Sequence, residues 1–160
     1  MHNDTARRSW FDRLLQREEM DGDGRCDTYL VRWTLLKLWG GIGVYLHHFV
    51  GDDWSRDLHD HPKRFISIGL WGSYLEETMT PPSGPSAISI LDERRYRAPW
   101  LRTFPAHHIH RIRLIDGRPC WTLVIVLRTV RKWGFWHGGS WIPWRQYVNS
   151  DTATRMKSCP

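Results

Sequence analysis

The chain has 160 residues and a mass of 19.1 kDa, which predicts one domain that buries roughly 70% of its unfolded surface. Its hydrophobic content of 41% and aromatic content of 13%, without a low-complexity tract, exclude collagen-like, coiled-coil and disordered classes. No run approaches the ~18 to 20 apolar residues of a membrane helix. The first ten residues, MHNDTARRSW, lack the apolar core of a signal peptide, so we expect a cytoplasmic protein with no membrane partner.

The net charge of +6 is distributed unevenly along the chain. Residues 1–93 carry ten Lys or Arg against fifteen Asp or Glu, whereas residues 94–160 carry thirteen against two. A basic half is typical of nucleic-acid-binding proteins, and equally of strands with solvated outer faces. Because no Lys/Arg-rich block with interleaved aromatics, helix-turn-helix pattern or zinc-finger spacing is present, the sequence does not favour a nucleic-acid partner.

Helical spacing of Trp10, Arg13, Leu14 and Arg17 predicts a short amphipathic helix over residues 9–19, followed by a loop at 21–25. After the loop, short apolar runs alternate with Gly, Pro and Asp clusters, which predicts an all-β antiparallel sandwich or barrel. We therefore expect a helical lead-in at 1–26, a β-barrel at 27–150 and a flexible tail at 151–160. The predicted strands are Tyr29–Trp39, Gly43–Val50, Arg64–Trp71, Ser73–Thr78, Ile88–Leu91, Arg94–Arg97, His110–Ile115, Trp121–Leu127, Lys132–Trp136 and Arg145–Val148.

Seven of the nine histidines lie between positions 47 and 110. His59 and His61 are two residues apart, so on a strand both project from one face while Asp60 points the other way. In HRIRL, His110 shares the apolar face with Ile112. A single inward histidine is more often a hydrogen-bonded core residue, but an H-x-H pair with a third histidine is the pattern of a divalent metal site.

These segments resemble the cupin superfamily. HDHPKRFISIGLWG is similar to the first cupin motif and FPAHHIH to the second, with His59, His61, Gly72 and Pro105 at or near motif positions and His110 as the second-motif ligand. The segments YLHHF, LHDHP, IHRI, CWTLV and KWGFW further resemble small bacterial and phage cupin proteins over roughly residues 27–148. The resemblance implies an antiparallel double-stranded β-helix, or jelly-roll barrel, with a metal in its mouth or centre.

Two departures from the cupin pattern alter the expected ligands. The motif glutamate would fall at Phe65 or Ile66, and the second-motif glycine is replaced by His107. The site therefore resembles the three-histidine version of thiol dioxygenases, with His59, His61 and His110 as ligands. Three neutral imidazoles leave the ion its full charge and open positions for a chelating substrate and O2. We expect Fe(II), although Mn, Ni, Co and Zn also accept imidazole.

Further residues are candidates for the surroundings of the metal. His108 would lie on the same strand face as His110, which makes it a candidate for a residue that supports a ligand from behind or for a fourth ligand. His107 is either a ligand or a turn residue. His47 is a pocket candidate, or a core histidine bonded to backbone. Arg64 could pair with a substrate carboxylate, or face solvent. The candidates for the pocket wall, each of which could equally be plain core, are Phe65, Trp71, Tyr74 and Trp136.

The leading hypothesis from the sequence is an Fe(II) oxygenase that acts on a small polar or anionic metabolite. The alternatives are a non-redox metal-dependent isomerase, epimerase or hydrolase, and a non-catalytic module that binds a small ligand or a polyanion. Since open sheet edges are often paired between copies, we also expect a homodimer.

Overall fold

A computed structural model describes residues 16–20, 28–53, 57–81 and 90–148 of the chain. Within these ranges twelve strands, numbered in chain order, form two six-stranded sheets in which every neighbouring pair is antiparallel. In order across the sheet, the first consists of β1 (Gln16–Met20), β2 (Leu30–Lys37), β3 (Gly43–Phe49), β10 (Cys120–Thr129), β5 (Lys63–Trp71) and β8 (Trp100–Phe104). The second consists of β12 (Ser140–Pro143), β11 (Gly134–His137), β4 (Leu58–His59), β9 (His110–Leu114), β6 (Ser73–Thr80) and β7 (Ile90–Arg97). The prediction of an all-β antiparallel architecture is confirmed.

The expected N-terminal helix is not supported. Residues 9–15 lie outside the described ranges, and Gln16–Met20 form β1 instead of the end of a helix. The strand pairs with β2 from Gln16 opposite Thr34 to Met20 opposite Leu30, so pairing with a neighbour overrides the helix-forming residues of QREEM. The expected loop at 21–25 and tail at 151–160 also lie outside the described ranges.

The prediction of a strand at Arg145–Val148 is wrong. Trp144–Val148 form a short helix, α1, and the other helical segments described are two 3-10 turns, Trp39–Gly41 and Ile115–Gly117. Tyr147 in α1 is fully buried, and its hydroxyl donates a hydrogen bond of 2.9 Å to Asp57 Oδ2. None of the helices described is long and apolar enough to cross a membrane.

Strand β10 illustrates how the sheet separates its two faces. Cys120, Thr122 and Val124 are buried on the inner face, as the two-residue period of a strand requires. The intervening Trp121 belongs to the outer face, where its ring stacks on His48 with centroids 4.0 Å apart and on Trp33 at 5.5 Å. The apolar core consequently lies between the sheets. Its buried members are Leu30, Phe49, Tyr74, Ile112, Leu114 and Cys120.

Gly72 allows the chain to pass from the first sheet to the second. It connects β5 to β6 with φ of +87°, a conformation that glycine adopts without strain. A Cβ atom at this position would lie 2.5 Å from the carbonyl oxygen of Pro119. The turn starts β6 at Ser73, so that Tyr74 and Glu76 both face inward and are almost fully buried.

Candidate metal centre

The structure brings His59, His61 and His110 together inside the barrel. His59 lies in β4, His61 follows two residues later, and His110 begins β9 directly opposite His59 in the strand register. One ring nitrogen from each of the three histidines lies within 4.8 Å of the other two. The closest pair is His61 Nε2 and His110 Nε2, which are 2.8 Å apart.

The intervening residue, Asp60, anchors the short strand β4 from the opposite face. Its side chain is 1% exposed and accepts three hydrogen bonds. Asp60 Oδ1 accepts from the backbone N–H of Gly134 at 2.8 Å, and Oδ2 accepts from Arg131 at 2.6 Å and from Trp141 Nε1 at 3.0 Å. These hydrogen bonds hold Asp60 on the side away from the cavity, which both flanking histidines line.

A buried carboxylate, Glu76, orients His110. Glu76 is 1% exposed, and its Oε1 accepts from His110 Nδ1–H at 2.7 Å and from His108 Nε2–H at 2.9 Å. Its Oε2 accepts from Arg102 Nη2 at 2.6 Å. Burial alone would raise the pKa of Glu76, but the hydrogen bonds from both histidines and the charge of Arg102 outweigh it and hold that pKa well below its usual range. Glu76 therefore stays ionised and acts only as an acceptor.

This contact determines which nitrogen of His110 carries the proton. An ionised carboxylate can only accept, so the proton lies on Nδ1 and the lone pair of Nε2 faces His61. A carboxylate behind a histidine is the usual arrangement around protein metal ligands. The sequence does not predict this role for Glu76, although Glu76 and Tyr74 are two residues apart on β6 and therefore both lie on the inner face.

His59 and His61 are neutral over the physiological pH range. Burial is the main cause that lowers the pKa of His59 to about 3, and the neighbouring His110 and His108 lower it further. Burial and the neighbouring histidines also hold the pKa of His61 well below its ordinary value. Neutral imidazoles have the free lone pair that metal binding requires.

The trio fits a divalent transition metal. Such ions accept imidazole nitrogens at about 2.0 to 2.1 Å, which places two nitrogens on one ion about 3 Å apart, near the 2.8 Å between His61 and His110. A second group, Glu76 with His108 and His110, also has its ligand atoms within 4.8 Å of one another. In that group the hydrogen bonds among the three residues, together with Arg102, already use the carboxylate oxygens. The three histidines are therefore the better candidate.

The trio opens into a cavity of about 400 Å³ between the two sheets. Three of the pocket residues expected from the sequence, His47, Phe65 and Tyr74, line this cavity. The Phe65 ring contacts His61, with centroids 4.8 Å apart, and stacks on Phe104 at 4.5 Å. These rings form an apolar wall beside the histidines.

Other expected pocket residues lie elsewhere. Arg64 is exposed and Trp71 is 60% exposed, and neither lines the cavity. Trp136 does not line the cavity either, because the inward position on β11 belongs to Phe135, whose ring centroid is 5.9 Å from that of His59. His107 is exposed in a turn, whereas His108 lies behind His110 through Glu76.

Comparison with solved structures gives matches at low sequence identity. A cupin-2 domain protein from Rhodospirillum rubrum has 13% identity and a TM-score of 0.52, with 79% of this chain and 76% of that chain covered. The chain has the cupin fold. The DMSP lyase DddQ from Ruegeria pomeroyi matches with 18% identity and a TM-score of 0.50, over 71% of this chain and 56% of the lyase. The Fe(II) form of HppE matches with 11% identity and a TM-score of 0.52, over 79% of this chain and 63% of HppE.

The matched region of this chain spans only part of the two enzymes, 56% of the length of DddQ and 63% of the length of HppE. No protein-family model matches the sequence, and no curated protein matches it either. In this cupin barrel His59 and His110 lie on two adjacent strands of the second sheet and His61 just beyond the end of the first of them, and the cavity extends from these residues toward the first sheet.

Proposed function

We propose that this cupin is a metal-dependent enzyme, an Fe(II) oxygenase that acts on a small polar or anionic metabolite. The observation that carries the proposal is the arrangement around His110, whose Nε2 lone pair faces His61 because Glu76 holds the proton on Nδ1. The cavity of about 400 Å³ next to the ligands leaves room for a small molecule at the ion. The likeness of fold to the Fe(II) form of HppE further supports iron.

The roles of the side chains follow from their positions. An Fe(II) ion bound by three neutral imidazoles would supply Lewis acidity toward a chelating substrate and one-electron chemistry toward O2. His59, His61 and His110 would hold the ion, and Glu76 keeps His110 in the ligand-competent tautomer. The stacked rings of Phe65 and Phe104 place apolar surface beside His61, which would limit water at the ion.

Metal content and oxygen uptake test this proposal together. Protein purified anaerobically without added metal should contain near-stoichiometric iron, and His61→Ala and His110→Ala should each abolish retention. His107→Ala is the matched control, because its side chain is exposed in the adjacent turn and should leave iron content unchanged. Retention of stoichiometric metal by both His61→Ala and His110→Ala would refute the proposed ligands.

A non-redox function on the same centre is the second candidate, and the likeness of fold to a lyase favours it. Three neutral ligands also leave a divalent ion strongly Lewis acidic. An oxygen-electrode screen over small carboxylic acids, thiols and amino acids separates the two candidates. Substrate-dependent O2 consumption supports the oxygenase, whereas turnover that continues undiminished without O2 supports the non-redox enzyme.

A further inference from the structure

The wall of the cavity opposite the three histidines contains two polar groups with no partner among the described residues. His47 on β3 lies opposite Thr122 on β10 in the strand register, and both side chains line the cavity. His47 Nε2 and Thr122 Oγ1 are both buried, and neither has a hydrogen-bond partner in the described part of the chain. A buried polar atom without a partner costs about 1 to 3 kcal/mol, so such pairs usually face a ligand or a water molecule.

This pair is electrically neutral and can both donate and accept hydrogen bonds. Burial, and then the charge of Arg32, lower the pKa of His47 to about 3, so its imidazole is uncharged. A neutral imidazole offers one donor and one acceptor nitrogen, and the Thr122 hydroxyl offers both functions. The natural complement is a hydroxyl, amide or carbonyl of a bound molecule.

A positive group lies at another part of the same cavity. Lys63, the first residue of β5, lines the cavity and donates a hydrogen bond to the carbonyl oxygen of Gly41. In the described part of the chain Lys63 makes no ion pair, whereas Arg32, which also lines the cavity, pairs with Glu18. Among the described residues that line the cavity, Lys63 is therefore the lysine or arginine whose charge is not already paired with a carboxylate. An unpaired cation beside a low-dielectric cavity attracts an anion.

We propose that this cavity selects a molecule with an anionic end group bound by Lys63 and a hydrogen-bonding group bound between His47 and Thr122. This inference rests on the proposed function in one respect: the end of the molecule that contacts neither Lys63 nor the His47–Thr122 pair would face the three histidines. The anion is a carboxylate or a phosphonate, since both match an ammonium group. The cavity walls between these polar groups are apolar, formed by Val124, Val126 and Phe65, which favours a short aliphatic backbone.

Calorimetric titration of metal-depleted protein tests the anion site without relying on activity. The probes are succinate, ethylphosphonate and the uncharged succinamide, and the two anions distinguish carboxylate from phosphonate selectivity. We expect at least one anion to bind more tightly than succinamide, and Lys63→Gln to weaken it about tenfold or more. Lys63→Arg should restore most of the affinity.

Arg64→Gln is the matched control, because it removes the same charge from the adjacent residue, which is exposed outside the cavity. Equal losses in Lys63→Gln and Arg64→Gln would show a net-charge effect and overturn the anion site. Equal affinity for anions and succinamide would also overturn it. Thermal melts of each variant separate loss of binding from loss of folding.

The hydrogen-bonding pair is tested by comparing malate, which carries a hydroxyl, with succinate, which does not. Thr122→Val preserves the shape of the side chain and removes its hydroxyl. We expect it to abolish the preference of the protein for malate while leaving succinate affinity within about twofold. An unchanged ratio of malate to succinate affinity in Thr122→Val would overturn the role of this pair.

Failure of this inference can be distinguished from failure of the proposed function. If the protein retains no metal but binds anions in a Lys63-dependent manner, the anion site stands and the oxygenase proposal fails. If iron binds and O2 is consumed while Lys63→Gln binds every anion like the wild type, the anion site fails alone.

Discussion

Replacement of Glu76 by glutamine is the sharpest test of how the candidate metal centre is organised. The carboxylate accepts three hydrogen bonds, two on Oε1 from His108 and His110 and one on Oε2 from Arg102. In glutamine one of these oxygens becomes an NH2 group, which can only donate. Whichever way the glutamine amide is turned, its NH2 group therefore faces an N–H donor, either that of Arg102 or those of the two histidines.

Both orientations lead to measurable losses. If the amide NH2 faces Arg102, a charge-assisted hydrogen bond worth about 1.5 to 3 kcal/mol is lost. If it faces His110, the imidazole must move its proton from Nδ1 to Nε2, the nitrogen that faces His61. We expect Glu76→Gln to weaken metal binding 10- to 100-fold, about 1.4 to 2.7 kcal/mol, the usual effect of losing the carboxylate behind a ligating histidine.

Competition titration with Co(II) and a chromophoric chelator measures this affinity, and urea denaturation of the metal-depleted protein measures stability. Glu77→Gln is the matched control, because Glu77 is the next residue and pairs with Arg111 and Arg113 on the outer face. We expect less than about 1 kcal/mol of destabilisation and no change in metal affinity for Glu77→Gln. Wild-type metal affinity combined with wild-type stability in the Glu76→Gln protein would exclude both orientations' effects and refute the argument that Glu76 sets the tautomer of His110.

Two further predictions concern buried side chains outside the cavity. Asp60→Ala should lower the free energy of unfolding by about 2 to 4 kcal/mol, because it leaves the N–H groups of Gly134 and Trp141 without their acceptor. A loss below about 1 kcal/mol in urea denaturation would contradict the anchoring role. Burial raises the pKa of the Cys120 thiol from 9.0 to about 12, so we expect a thiolate fraction on the order of 1000-fold smaller than that of an exposed cysteine. Iodoacetamide with peptide mapping should therefore label Cys120 only after unfolding.

The two-residue period predicted most of the central strands from the sequence. β3, β5, β6 and β10 were all expected within a few residues of their ends, because their alternation and their Gly or Pro boundaries are local signals. The failures came where tertiary contacts decide the structure. QREEM consists of good helix formers, yet β1 pairs with β2, and in WRQYV the burial of Tyr147 against Asp57 has no counterpart in the local sequence.

The residues of the site differ in the same way between those marked by a local sequence pattern and those set by tertiary contacts. The alternation of side chains between the two faces of a strand was enough to group His59, His61 and His110. An H-x-H pair and an inward histidine on a later strand are both visible in the local sequence. Glu76 could not be assigned in the same way, since its partners come from β8 and β9 and their registers are not visible in the sequence. Arg64 was expected near the substrate from its closeness in sequence to the motif, but its neighbour Lys63 is the one that lines the cavity.

The pairing of β4 with β9 has a mechanical consequence. In the strand register these two strands share one residue pair, His59 opposite His110, and this pair joins β12, β11 and β4 to β9, β6 and β7. An ion held by these imidazoles would therefore also be a cross-link between two halves of a sheet. We expect loss of the ion to let the halves move apart, so that hydrogen exchange should rise at β4 and β9 while the central strand β10, paired on both sides, keeps its protection.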